Sequence, residues 1–169
     1  MNRFTALCLT SLMSLCWSLS ASALQAGEPG FDFNLPSLSR DGSHQRLSDF
    51  RGKVVYLDFW ASWCGPCRKS LPQLAHLQQQ LSDQAFVVLG VNLDDDPALG
   101  RRFLDELGVS FPNVSDTSGS SYDTFGLVGM PTSYLIDQQG MVRWVHQGFA
   151  DGDIAVIRQH VDALLQSNP

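Results

Sequence analysis

Cysteine and positive charge are both scarce in this chain of 169 residues. There are four cysteines, and two of them, Cys8 and Cys16, fall in an N-terminal apolar run, which leaves only Cys64 and Cys67 for the body of the protein. That count excludes a disulfide scaffold. It also argues against structural zinc, which takes four Cys or His ligands as two spaced pairs, because no second pair exists. Lys and Arg number 11 against 17 Asp and Glu, giving a formal net charge of −6. With pI near 4.9 there is no basic surface for a phosphate backbone, so nucleic acid is not an expected partner. An unbroken membrane span is missing too: the apolar run Phe4 to Leu19 is interrupted by Thr10, Ser11, Ser14 and Ser18 and is shorter than the roughly 18 residues a span requires. Internal repeats are absent, and the length suits one domain with a core of its own.

Met1-Asn2-Arg3, the short apolar run and the small residues Ala21-Ser22-Ala23 have the order of a secretory signal. Residues 1–23 are therefore expected to be a signal peptide, and contact with a membrane is expected only if that segment is kept as an anchor. A lipid-modified signal is disfavoured, since Leu7 and Leu15 before the two leader cysteines are too large for the position. Without residues 1–23 the chain holds 10 basic and 17 acidic side chains, about −7 in net charge, and would sit in an oxidising compartment.

Residues 24–30 read as a short tether and 31–169 as the folded domain. Phe31 to Leu35 alternates like a half-buried strand, and Asp41-Gly42 turns the chain toward a second strand at His44 to Leu47, which makes an N-terminal β-hairpin. Lys53 to Trp60 is almost continuously apolar, as a central strand covered on both faces would be. A helix follows with Leu71, Leu74, Leu77 and Leu81 on one face. Phe86 to Val91 is the next strand. Asp94-Asp95-Asp96-Pro97 is a helix start with acids matched to the dipole rather than a metal cluster. The helix it opens is expected to bury Leu99, Phe103, Leu104 and Leu107 and to stop at Gly108. Residues 109–129 are rich in turn formers, with a short helical piece near Ser121 to Phe125. Two antiparallel strands, Ser133 to Ile136 and Met141 to Gln147, and a helix from Asp153 to Leu165 complete the chain. The order describes an α/β protein with a mixed sheet and helices on both faces.

The chemistry gathers at Trp63-Cys64-Gly65-Pro66-Cys67. A thiol where a strand ends and a helix begins faces unpaired backbone N–H groups and the positive end of the dipole, so Cys64 is the candidate nucleophile. Cys67, one helical turn deeper, can attack a mixed disulfide at Cys64 and release the partner. Asp58 lies inside the apolar strand before the motif. Burial should raise its pKa, and it could relay a proton to or from Cys67.

Asp58 to Cys67 resembles the active-site signature of thioredoxins, and Gly129-Met130-Pro131-Thr132 resembles their cis-proline loop facing the cysteines. The similarity runs over residues 28–166. The signal, the hairpin and the helix added between Asp96 and Leu107 resemble the exported TlpA/ResA branch of the superfamily. That resemblance implies a thioredoxin fold and a dithiol–disulfide exchange activity in the periplasm. It needs no cofactor and no metal. It also implies that Trp63, Gly65, Pro66, Met130 and Pro131 bind the partner, with Pro131 shaping a groove for extended backbone. The partners would be disulfide-bearing exported proteins, and electrons would come from a membrane thiol transporter of the DsbD type. Gly-Pro between the cysteines is the dipeptide of thioredoxin, whose reference potential is roughly −270 mV, about 150 mV below that of the oxidant DsbA, so a reductant is expected.

Two positions depart from the pattern. Members that serve haem attachment often carry glutamate three residues after the second cysteine, where this chain has Ser70, and Gly90 stands where cytoplasmic thioredoxin has a lysine beside the buried aspartate. The first favours a general reductase over cytochrome c maturation. The opening Phe31 to Pro36 and Arg51-Gly52-Lys53 also resembles peroxiredoxins, but the Pro and Thr/Ser those enzymes place before their cysteine are replaced by Leu57 and Ala61, or by Trp60 and Cys64. A copper-binding chaperone is the remaining alternative, since two thiolates suit copper(I), although His44, His76, His146 and His160 are scattered along the chain.

Overall fold

A computed structural model of the protein describes residues 23–167. The expected signal, apart from Ala23, lies outside them. Seven strands form: β1 (Asn34–Pro36), β2 (His44–Arg46), β3 (Val54–Trp60), β4 (Phe86–Asn92), β5 (Asn113–Ser115), β6 (Thr132–Ile136) and β7 (Val142–Gln147). Four α-helices accompany them: α1 (Gly65–Gln80), α2 (Pro97–Leu107), α3 (Ser120–Phe125) and α4 (Asp153–Gln166).

The longest apolar runs take the centre. β3 and β4 are buried at every position and pair in parallel, with β5 parallel on the far side of β4 and β6 and β7 antiparallel beyond β3, giving the order β5-β4-β3-β6-β7. Alternation along each strand divides the core into two layers. One layer holds Val54, Tyr56, Trp60, Phe86 and Val88 of the sheet against the leucines of α1, Phe103 and Leu104 of α2, and Ile157 and Val161 of α4. The other holds Val55, Leu57, Phe59, Val87 and Leu89 against Phe125 of α3 and Leu47, with Leu35 of the hairpin packed alongside. Helices thus cover both faces of the mixed sheet.

The hairpin forms as β1–β2, with the paired register starting three residues later than the alternation at Phe31 suggests. Residues 24–30, expected to be a tether, run along the sheet: Gly27 N donates to Val142 O, Val142 N donates to Glu28 O, and Gly30 N donates to Gly140 O. Leu24, only 3% exposed, joins the second core layer.

Helix α2 begins as its sequence predicts, with the Asp96 side chain accepting from Ala98 N at 2.9 Å, and ends at Gly108, whose φ of +66° is a conformation glycine adopts without strain. Its inward face is a correction. Phe103 and Leu104 are buried as expected and Leu107 is half-buried, but Leu99 is exposed and Gly100 is buried in its place. The cause is close packing: a Cβ on Gly100 would lie 2.6 Å from Asn92 Oδ1, so the helix rests on β4 through this glycine and turns Leu99 outward. Strand β5 is the element its sequence conceals within residues 109–129. Three residues with a single apolar side chain have no readable period. They are held by pairing with β4 and by Leu38 N donating to Asn113 O.

Candidate active site

The local sequence builds the site where β3 gives way to α1. Cys64 is the N-cap of the helix, with extended backbone, and its Sγ accepts from Cys67 N at 3.2 Å. Pro66 falls in the first turn, where a missing N–H costs nothing. No acidic residue stands in that turn, so the positive end of the dipole and the free N–H groups are left to stabilise negative charge on Cys64 Sγ. Cys64 and Cys67 form a disulfide with Cα atoms 5.3 Å apart.

The two sulfurs occupy different surroundings. Cys64 lines an open groove of about 600 Å³, together with Trp63, Gly65 and Pro66 on one wall and Leu93, Tyr122 and Met130 on the other. Cys67 is not part of the lining and is 0% exposed. Trp63 stands out at the rim, 69% exposed. The Met130–Pro131 peptide is cis. Pro131 itself is buried behind Met130, its carbonyl accepting from Gly148 N, while Thr132 Oγ1 donates to Gly129 O across the loop. Of the residues expected to meet a partner, Trp63, Gly65, Pro66 and Met130 share the groove with Cys64; Pro131 is buried and is not part of its lining.

Asp58 is buried on the face of β3 that α1 covers, two residues from Trp60 and Tyr56. Burial pushes its carboxyl up to about 7, against the lowering effect of one hydrogen bond from Ser133 Oγ to Asp58 Oδ1 at 2.6 Å. The other oxygen, Oδ2, has no protein hydrogen-bond partner. Gly90 is the parallel-register neighbour of Asp58. The space a side chain would occupy there is filled by a buried hydrogen bond from Trp60 Nε1 to Asn113 Oδ1, 2.9 Å long; a Cβ on Gly90 would come within 2.8 Å of that indole nitrogen. A lysine cannot stand at this position, and the carboxylate is without a cationic neighbour on that side.

Sequence reasoning missed three contributors. Leu93 and Tyr122 build the far wall of the groove, brought there from the end of β4 and from α3. Asp94, taken with its neighbours as part of a helix start, is instead buried, its carboxylate accepting from Ser62 N, Ser62 Oγ (2.9 Å) and Asn92 Nδ2 (2.7 Å). It fixes the loop that presents Trp63 and Cys64. The only sequence signal was a third acid placed before the N-cap. Ser70 is buried and donates to Cys67 O at 3.3 Å. Among the described residues, no group of three or more His, Cys, Asp or Glu side chains is placed to hold a metal ion, and no helix is long and apolar enough to cross a membrane.

The chain is similar to known proteins in sequence and fold. The redoxin family profile matches residues 25–161. The thiol-disulfide oxidoreductase ResA of Geobacillus thermodenitrificans is 32% identical over 85% of this chain and 80% of its own. The thioredoxin-like protein YneN of Bacillus subtilis is 34% identical over 78% and 77%. Among solved structures, one from Chlorobium tepidum assigned to the thiol:disulfide interchange protein DsbE superposes with a TM-score of 0.80 at 40% identity, covering 85% of this chain and 99% of that one.

Proposed function

Because the chain belongs to the redoxin family and is a thiol-disulfide oxidoreductase of the ResA/DsbE type with Cys64 and Cys67 as its dithiol pair, we propose that it reduces disulfides of exported proteins in the periplasm. The observation that carries this reading is the asymmetry of the sulfurs: Cys64 opens to the groove, and Cys67 is sealed behind it. The Cys64 thiolate attacks one sulfur of the substrate disulfide, breaks its S–S bond to form a mixed disulfide, and expels the other sulfur as a thiolate that takes a proton from water. Cys67 then loses its proton, attacks Cys64 Sγ, and releases the second substrate sulfur as a thiolate that takes a proton from water. Two electrons pass to the substrate, and the enzyme is left oxidised. Asp58, ionised at the start, accepts the Cys67 proton; a carboxyl held near neutrality suits that exchange.

The groove wall of Trp63, Pro66, Leu93, Tyr122 and Met130 suits an extended, apolar stretch beside the substrate cysteine, and the flexible thioether of Met130 tolerates varied partners. Re-reduction from a membrane thiol transporter of the DsbD type follows from the location. Ser70, small and buried against the Cys67 carbonyl, places no carboxylate near the dithiol, which favours a general reductase over one dedicated to cytochrome c maturation. Trapping tests the roles: Cys67→Ala should accumulate mixed disulfides through Cys64, and accumulation by Cys64→Ala instead would reverse them. Equilibration with glutathione tests the direction, since a potential near roughly −120 mV, that of DsbA, would make the protein an oxidant.

A further inference from the structure

Asp58 is shut away from the groove: neither it nor Cys67 belongs to the lining. Asp58, with its carboxyl raised to about 7, gains and loses protons with the pH of the solvent although it does not touch the groove. On the other side of Asp58, strand register supplies a path. Asp58 pairs with Ser133 of β6, and Ser133 with His146 of β7, so the three side chains stand side by side on the face covered by α1 and α4. Ser133 Oγ donates to Asp58 Oδ1 at 2.6 Å, and the same hydroxyl acts on the Tyr56 phenol, lowering its pKa against the effect of burial. That hydroxyl lies 3.2 Å from His146 Nδ1. His146 Nε2 lies 3.3 Å from Asp153 Oδ2, at the first residue of α4, where the two side chains are 14% and 28% exposed.

We propose that Ser133, Tyr56 and His146 form the route along which Asp58 exchanges its proton with solvent, with Asp153 at its mouth. The proposal rests on the reading of Asp58 as the base for Cys67. When the enzyme is re-reduced, a proton enters at His146 Nε2. The Nδ1 proton passes to Tyr56, the Tyr56 proton to Ser133, and the Ser133 proton to Asp58, which passes one on to the Cys67 thiolate released from the disulfide and is ionised again. Every intermediate atom gives one proton as it receives one. Oxidation runs the chain outward. The groups can do this because hydroxyls both donate and accept, and imidazole has a nitrogen on each side.

The surroundings fit. Burial, reinforced by the Asp58 charge, pushes the Tyr56 phenol well above its usual range, so Tyr56 stays protonated and serves by passing protons on rather than by ionising. Asp58 neighbours Tyr56 on its own strand, Ser133 on β6 and Gly90 on β4, and among the described residues no cationic side chain forms an ion pair with it. Around His146 the titratable neighbours are Tyr56 and Asp153, with Trp144 stacked on its ring at 5.0 Å and His160 of α4 stacked on Trp144 at 4.1 Å.

A rapid pH jump on the purified protein, followed by the infrared band of the Asp58 carboxylic acid, tests the route directly; Asp58→Asn identifies the band by deleting it. Tyr56→Phe keeps the ring and removes the hydroxyl. It and His146→Ala should each slow Asp58 protonation by roughly tenfold or more and slow reduction of an aryl disulfide in step, within the reach of a single proton-transfer group. The potential against glutathione should stay put, and imidazole in solution should restore His146→Ala, which loss of packing alone would not allow. If Asp58→Asn is slow while Tyr56→Phe and His146→Ala behave as wild type in both assays, Asp58 is the base and the route is wrong. If Asp58→Asn reduces disulfides as fast as wild type, the base reading falls and the route has nothing to serve.

Discussion

The two faces of the sheet are built to different rules. Behind β3, Phe59, Phe125 and Tyr134 cluster with ring centroids 5.0–6.0 Å apart, and the one hydroxyl among them is satisfied by the Phe125 carbonyl at 3.0 Å. On the α1 face, a polar row crosses all five strands: Asn113, Gly90, Asp58, Ser133 and His146 are successive register partners. It leaves Asp58 Oδ2 without a protein partner. Both faces bury an apolar core, and the polar row costs stability on the face where the dithiol works. Burial is what tunes the Asp58 carboxyl toward neutrality, and burying it is also what destabilises.

That contrast can be broken first from the apolar side. Phe125→Ala removes the ring that Phe31, Phe59 and Tyr134 share and should cost about 3–5 kcal/mol in urea unfolding. The glutathione potential of the folded fraction should not move. A shifted potential would mean that the two faces are coupled.

Asp58→Asn sharpens the comparison from the polar side. The folded carboxyl is raised to about 7 from an ordinary value of 3.8, so between these values the folded state holds a proton that the unfolded chain has lost. Stability should therefore fall as pH rises from about 4 to 7, by up to roughly 4 kcal/mol at about 1.4 per pH unit, and stay low above it. The asparagine variant should lose that slope and be the more stable protein at pH 8, while reducing disulfides more slowly and with an altered pH–rate profile. Parallel stability curves for the two proteins would show that the carboxyl is not strained by burial.

Gly90→Ala is the smallest of the three. The new methyl would meet the Trp60–Asn113 hydrogen bond, and overpacking of this kind costs about 1–3 kcal/mol. Asn113→Ala in the same chain should recover part of that loss by clearing the space. No recovery would place the conflict elsewhere.

The features legible from the sequence were those written in short stretches. A buried run ending in Trp60, a cysteine at the helix cap, a second one turn later, and the acid-proline start of α2 are local patterns, because hydrogen bonding and period within a few residues decide them. Asp58 was conspicuous as the charge inside an apolar run. Tertiary structure alone decided which side chains meet it. Ser133 lies 75 residues away and Tyr56 finds His146 across 90, and no local signal sets the register that aligns them; a slip of one residue would turn Ser133 to the opposite face. The same reason hid β5, whose three residues are a strand only because β4 and the hairpin hold them, and it hid the outward turn of Leu99, fixed by contact between Gly100 and Asn92. Composition and period determined where most strands and helices lie and marked the Cys64–Cys67 pair; the packing of distant segments decided the surroundings of Asp58, the group proposed to take the Cys67 proton.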